Sequence, residues 1–201
     1  MGSAILRGLV DTATMKPDQA RVFDPDAHRR EEVSALGIAC VDAPAQLARD
    51  CDVLILAVKP QMMDEAVKAL GPIDPAKTLV VSIAAGISIG HLQSLLGDKT
   101  RVVRVMPNTP ALVRAGAAGI APSPNCTPED IDRVRAIFES VGVVEQVTEE
   151  AMDIVTALSG SGPAYFFYLV ECITEAAVHG GLSPDQASRL AGQTLFGAGR
   201  L

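Results

Sequence analysis

Short β-rich runs alternate with segments of helical periodicity from Arg21 to Met106, and this alternation restricts the chain to few architectures. The runs are Arg21–Asp24, Ile38–Val41, Val53–Val58, Leu79–Ile83 and Val102–Met106. Between most of them lie helical segments with start and stop signals. Asp26 caps a helix that Gly37 stops, Gln61 to Leu70 ends at Gly71-Pro72, and Ser88 caps a helix that ends at Gly97. A Ser or Asp oxygen satisfies the free N–H groups of a first turn, and Gly takes the backbone out of the helix at its end. Strands separated by helices return parallel to one another, which gives βαβ units. The runs Val53-Leu-Ile-Leu-Ala-Val58 and Leu79-Val-Val-Ser-Ile83 are almost wholly apolar, as strands covered on both faces must be.

The pattern changes after Gly116. A short strand is expected at Ala117–Ala121, then a helix starting at Thr127-Pro-Glu-Asp130, with Pro at its first position. Ile131, Val134, Ile137, Phe138 and Val141 share one face of it, and Gly142 ends it. A last strand follows at Val143–Val147. From Glu149 onward only helices are expected: Glu150–Leu158, Pro163–His179 and Pro184 to the end. The reading is two domains, 1–148 α/β and 149–201 helical. The helix Pro163–His179 carries Glu171, Glu175 and His179 in one stripe and is apolar elsewhere. A helix apolar on most sides is buried on most sides. A second copy of the chain covers it, or further C-terminal residues do.

Composition narrows the function. With 17 basic against 24 acidic residues the net charge is -7, which argues against an electrostatic grip on nucleic acid or on an anionic membrane. Aromatics are 3% with no Trp, a poor stock for stacking bases. No apolar run is long enough to span a bilayer, and Met1 leads into a Gly/Ser/Ala segment rather than a signal peptide. Cys40, Cys51, Cys126 and Cys172 are scattered without a C-x-x-C, so neither a metal site nor a disulfide frame is expected, and a reducing cytoplasm is the simplest address.

Four features could carry chemistry. Gly2 opens a helix-like segment, and Asp24 stands at a strand end 22 residues later, where a dinucleotide-binding fold places the acid that meets the ribose. Ala57-Val-Lys-Pro60 follows the most apolar strand, and ligands of open α/β sheets bind beyond the carboxyl ends of strands. Val105-Met-Pro-Asn-Thr-Pro110 follows another strand and is stiffened by two prolines. Ala157-Leu-Ser-Gly-Ser-Gly-Pro-Ala-Tyr165 precedes a helix, whose first N–H groups can hold a carboxylate. Each alone also reads as an ordinary turn, surface lysine or interhelix link.

Together they are specific. Ala57-Val-Lys-Pro60, Val80-Val-Ser-Ile-Ala-Ala-Gly-Ile87, Met106-Pro-Asn-Thr-Pro-Ala-Leu112 and Leu158-Ser-Gly-Ser-Gly-Pro-Ala-Tyr165 occur in the order and spacing of the pyrroline-5-carboxylate reductases, which the chain resembles over nearly its whole length. The resemblance implies a Rossmann-type, mostly parallel sheet followed by a helical dimerisation domain. It also implies reduction of 1-pyrroline-5-carboxylate to L-proline with NAD(P)H, the last step of proline biosynthesis. Carried over by motif, Met1 and Gly2 take the phosphates, and Ala57, Val58, Lys59 and Pro60 lie beside the nicotinamide half. Ser82, Ala84 and Ala85 belong to the same cofactor cleft, and Asn108 and Thr109 form the loop over the nicotinamide. Glu149, Ser159, Gly160, Ser161 and Gly162 lie on the side of the cyclic imino acid. The family generally uses NADPH. Asp24 favours the free ribose of NAD, whereas His28, Arg29 and Arg30 could instead meet the 2′-phosphate of NADP, the alternative for Arg29 and Arg30 being a solvated helix face.

The chain also departs from the family. The first strand and two glycines of the G-x-G-N-M-G turn are missing before Met1, a Ser/Thr- and Gly-rich substrate segment is missing beyond Leu201, and Pro44 stands where relatives often carry Asn. The expectation is a truncated chain that binds dinucleotide poorly. In the strand order 3-2-1-4-5-6 the absent strand leaves Arg21–Asp24 and Val53–Val58 roughly 9–10 Å apart. No histidine base, covalent nucleophile or metal is assigned, and catalysis rests on positioning. The rivals are an inactive nucleotide-binding or dimerisation module, and a reductase of the 3-hydroxyacid dehydrogenase kind. The second is disfavoured because no lysine follows Lys99.

Overall fold

The computed structural model describes residues 1–201 and opens with helix α1 (Gly2–Asp11). Strand β1 (Arg21–Val22), α2 (Ala27–Ser34), β2 (Ala39–Cys40), α3 (Pro44–Asp50) and β3 (Val53–Leu56) follow. Next come α4 (Met63–Leu70), β4 (Leu79–Ser82), α5 (Ile89–Leu96), β5 (Arg101–Met106), β6 (Gly116–Pro122), α6 (Pro128–Glu139) and β7 (Gly142–Gln146). A short helix α7 (Met152–Val155) runs into a π-helical turn, Thr156–Gly160. Helices α8 (Gly162–His179) and α9 (Pro184–Ala198) complete the chain.

Met1–Gly160 forms one compact unit and Ser161–Leu201 another. The first is a three-layer α/β unit. Strands β3, β4, β5, β6 and β7 are hydrogen-bonded in that order, all parallel to their neighbours except the antiparallel pair β5–β6. The period of two along each strand sorts side chains between two cores. Leu54, Leu56, Val80 and Val102 face α3, α4 and α5 through Ala48, Met63, Val67, Ile89 and Leu92. Leu79, Val81, Val103, Val105 and Ile120 face α1 and α6 through Ile5, Leu9, Val134 and Phe138. The expected mostly parallel α/β sheet is present.

Several expected boundaries are corrected. The strands expected at Arg21–Asp24, Ile38–Val41, Val53–Val58 and Leu79–Ile83 end sooner, because a ladder persists only as far as its partner: Leu56 pairs with Ser82, and Val22 with Cys40. The single helix expected at Glu150–Leu158 is instead a 3-10 turn, α7 and the π turn in succession. Helix α3 lies outside the expected helices; its N-cap is Ala43, which makes no side-chain cap bond. The foreseen caps at Asp26, Ser88 and Thr127 each accept a first-turn N–H.

Strands β1 and β2 form a separate two-stranded parallel sheet. Strand β1 is laddered only to β2, and β3 only to β4, so no hydrogen-bond ladder joins the two sheets. In the second unit α8 and α9 pack together, with Ala187 and Ala191 buried one turn apart on α9. No helix is long and apolar enough to cross a membrane.

Candidate active site

The sheet places three of the sequence motifs side by side. Leu56, Ser82 and Arg104 are lateral neighbours in the parallel register, so the segments that follow β3, β4 and β5 leave the same end of the sheet. Ala57–Pro60 leaves β3 and passes into a 3-10 turn, Pro60–Met62. Ala57 and Lys59 are exposed, while Val58 and Pro60 are half-buried. Ser82 ends β4 fully buried, and its Oγ accepts from the Ala84 N–H at 3.3 Å; Ala84 is buried and Ala85 exposed. Asn108 and Thr109 follow β5, with Asn108 buried and Thr109 exposed.

The N-terminus of α1 meets this edge. A Cβ on Gly2 would come 3.3 Å from the Ala57 Cβ, so a side chain larger than hydrogen would crowd the strand end. Met1 makes no side-chain cap bond, and the first intrahelical bonds run from Ala4 and Ile5 to the Met1 carbonyl. The N–H groups of Gly2 and Ser3 therefore precede the helix's own ladder, the arrangement that attracts a phosphate. Asp24 lies two residues beyond β1, and its Oδ1 accepts from the Asp26 N–H at 2.9 Å. Arg30 is committed to the loop, donating to the Asp24 and Pro25 carbonyls at 2.8 and 2.9 Å. His28 pairs with Glu32 at 3.5 Å, and Arg29 is exposed.

The residues expected on the imino-acid side are placed differently from one another. Glu149 opens the 3-10 turn Glu149–Ala151, and its Oε1 accepts from the Ile89 N–H at 2.6 Å, capping the first turn of α5. The same oxygen lies 3.6 Å from Nη1 of Arg104. Ser159 and Gly160 belong to the π turn of the first unit; Ser161 and Gly162 are the N-cap and first residue of α8 in the second. Asn108 is bonded to the main chain at both ends: Oδ1 accepts from the Ala117 N–H at 2.8 Å, and Nδ2 donates to the Ser159 carbonyl at 3.0 Å.

Arg104 lies outside the expected site residues. Its side chain is only 9% exposed, and it also lies 3.9 Å from the exposed carboxylate of Asp153. A guanidinium in a buried strand requires a carboxylate, and the lone Arg within Val102-Val-Arg-Val-Met106 was the available signal. His91 bonds Asp64 across the exposed ends of α5 and α4 at 2.8 Å, His28 is on α2, and His179 ends α8. No cluster of His, Cys, Asp and Glu suited to a metal is present.

Comparison with known proteins agrees with this geometry. Residues 149–201 match the family model described as pyrroline-5-carboxylate reductase dimerisation, and residues 1–86 match one described as NADP oxidoreductase, coenzyme F420-dependent. The curated pyrroline-5-carboxylate reductase of Methanosarcina acetivorans is 41% identical over 202 residues, covering 100% of this chain and 75% of that protein. The solved pyrroline-5-carboxylate reductase of Coxiella burnetii superposes with a TM-score of 0.91 at 32% identity, over 99% of this chain and 74% of that one. That of Plasmodium falciparum, solved with NADP bound, gives 0.88 at 32% identity, over 100% of this chain and 74% of that one. Identity of this extent over the full length, with the motif segments at the strand ends, places the chain in the pyrroline-5-carboxylate reductase family.

Proposed function

We propose that the protein reduces 1-pyrroline-5-carboxylate to L-proline with NADPH, the closing step of proline biosynthesis. The observation that carries this reading is the full-length likeness to a curated reductase of that name, at 41% identity. The residues present suit a dinucleotide, since Gly2 allows the α1 N-terminus to touch the end of β3 and leaves two amides ahead of the helix ladder. Met1 and Gly2 would take the pyrophosphate and Asp24 a ribose hydroxyl. Ala57, Val58, Lys59, Pro60, Ser82, Ala84, Ala85 and Thr109 would line the remainder of the dinucleotide. Ser159, Gly160, Ser161 and Gly162 serve the imino acid, with Glu149 anchoring the segment that leads to them. The functional division falls after residue 148, ahead of the match to the dimerisation family.

When bound, the reduced dinucleotide supplies the hydride. The chain's task is to hold a flat imine with its carbon facing that hydride and to fix the imine's carboxylate, which converts an encounter into an oriented contact. The Ser161-Gly162 pair opens α8 and Ser159-Gly160 directly precedes it, which brings main-chain N–H groups to a helix start and suits a carboxylate. No histidine acts as acid or base. The working form is a homo-oligomer built on the helical unit. Four unpaired cysteines fit a reducing cytoplasm, and the charge of -7 argues against a nucleic-acid partner. The test is consumption of NADPH by the purified protein with and without 1-pyrroline-5-carboxylate, with L-proline identified as product. Imine-dependent consumption is the expected result. Saturable NADPH binding without turnover would make the protein a nucleotide-binding module instead.

A further inference from the structure

Asn108 joins parts of the chain that are far apart in sequence. Its amide accepts from Ala117 N–H in β6 and donates to Ser159 in the π turn, and the residue is only 8% exposed. A carboxamide has one acceptor and one donor end, so a single side chain can clamp an N–H on one side and a carbonyl on the other. The clamp is not isolated. Gly160 presents bare backbone to Met106, where an added Cβ would lie 2.7 Å from the Met106 Cε. Gly119 does the same for Val155, with a Cβ to Cγ1 distance of 2.8 Å. Two contacts thus seat the π turn, through Asn108 and Met106, and the third seats Val155, the last residue of α7, against β6.

The peptide joining Ser159 to Gly160 is trans and planar, so its carbonyl and N–H point in opposite directions. Fixing the Ser159 carbonyl on Asn108 therefore fixes the direction of the Gly160 N–H and the entry of the Ser-Gly-Ser-Gly segment. π-helical turns occur mainly where a local irregularity re-aims functional groups. We propose that Asn108 is a positioning residue for the imino-acid side of the site and not a ligand of the dinucleotide: it sets the Ser159–Gly160 peptide from which the Ser-Gly-Ser-Gly segment departs. The proposal rests on the assignment of Ser159 to Gly162 to the imino acid made above.

Asn108→Asp is the incisive variant, because it keeps the shape and the acceptor for Ala117 but sets an oxygen against the Ser159 carbonyl. Its KM for 1-pyrroline-5-carboxylate should rise about tenfold or more, the scale of a buried hydrogen bond lost with its partner left unsatisfied. The Kd for NADPH should stay within about twofold, since the motifs after β3 and β4 are not touched by the change. Amide hydrogen exchange should quicken in residues 156–160 and stay unchanged in 79–85. Weakened NADPH binding with an unaltered KM for the imine, or unaltered exchange at 156–160, overturns the proposal. Should Asn108→Asp fail to fold, Asn108→Ala removes the clamp without introducing a charge and is read by the same measures. If the wild-type protein turns over no pyrroline-5-carboxylate, the functional reading fails, while exchange at 156–160 still decides whether Asn108 holds the turn.

Discussion

Arg101 and Arg104 leave β5 on opposite faces, and each is answered by a carboxylate from a different part of the chain. Arg101 bonds Asp130 at 2.7 Å and reaches the carbonyls of Pro75, Ala76 and Lys77, tying the strand to the first turn of α6. Asp130 is 2% exposed and also accepts the Thr127 N–H in a capping box. Replacing it with Ala strands a largely buried guanidinium and opens the cap, so Asp130→Ala should cost about 2–4 kcal/mol in a urea melt. Arg101→Met in the Asp130→Ala background should recover part of that loss, because the unpaired charge is then gone. Burial raises the thiol pKa of Cys51 and of Cys126 above the ordinary 9.0. The folded state therefore holds these protons more tightly than the unfolded chain, so stability is intact below the unfolded thiol pKa and declines as pH rises through it. Both thiols should resist iodoacetamide at pH 8 in the folded protein and react promptly in urea, which mass spectrometry of the labelled peptides would show.

At the scale of elements, Gly116 and Gly142 face each other where β6 and β7 begin. A Cβ on Gly142 would collide with the Gly116 backbone, with no flexible side chain to yield. Gly142→Ala should therefore cost about 3 kcal/mol or more in a chemical denaturation series. Gly160→Ala, whose one close contact is the flexible end of the Met106 side chain, should cost about 1 kcal/mol or less. The elements also show what the sequence made legible. Helices begun by Asp26, Ser88 and Thr127 could be read because one local oxygen fixes each start. Helix α3 lacks such a cap, and the π turn continues directly from α7 with no break in the chain to mark it. The site divided in the same way. Motifs that follow strand ends were visible as strings, whereas the Ile89–Glu149 cap and the Asn108–Ser159 bond span 60 and 51 residues and leave no local trace.

In the whole molecule the second unit presents large apolar side chains that it does not cover. Phe166, Phe167, Tyr168 and Leu169 of α8 are each more than half exposed in the single chain, although they occupy successive directions around the helix. That surface fits the family match to a dimerisation segment. Phe167→Asp should leave an unpaired charge at the contact and convert the oligomer to monomer, as read by light scattering.

Strands β1 and β2 hold each other by a ladder of only two residue pairs, whereas β4 and β5 each carry ladders on both sides. With no ladder from β1 to β3, opening of the Arg21–Cys40 region breaks few main-chain bonds of the larger sheet. The first unit should therefore lack a single cooperative transition for all its amides. Residues 21–40 should exchange through a sub-global opening several kcal/mol below the event that releases the β4 and β5 amides, a separation that native-state exchange in rising denaturant resolves. Asp24 sits within residues 21–40, so ligand contact there would raise the local opening free energy toward that of the central strands, and the nucleotide would act as the clasp that makes the two sheets unfold as one.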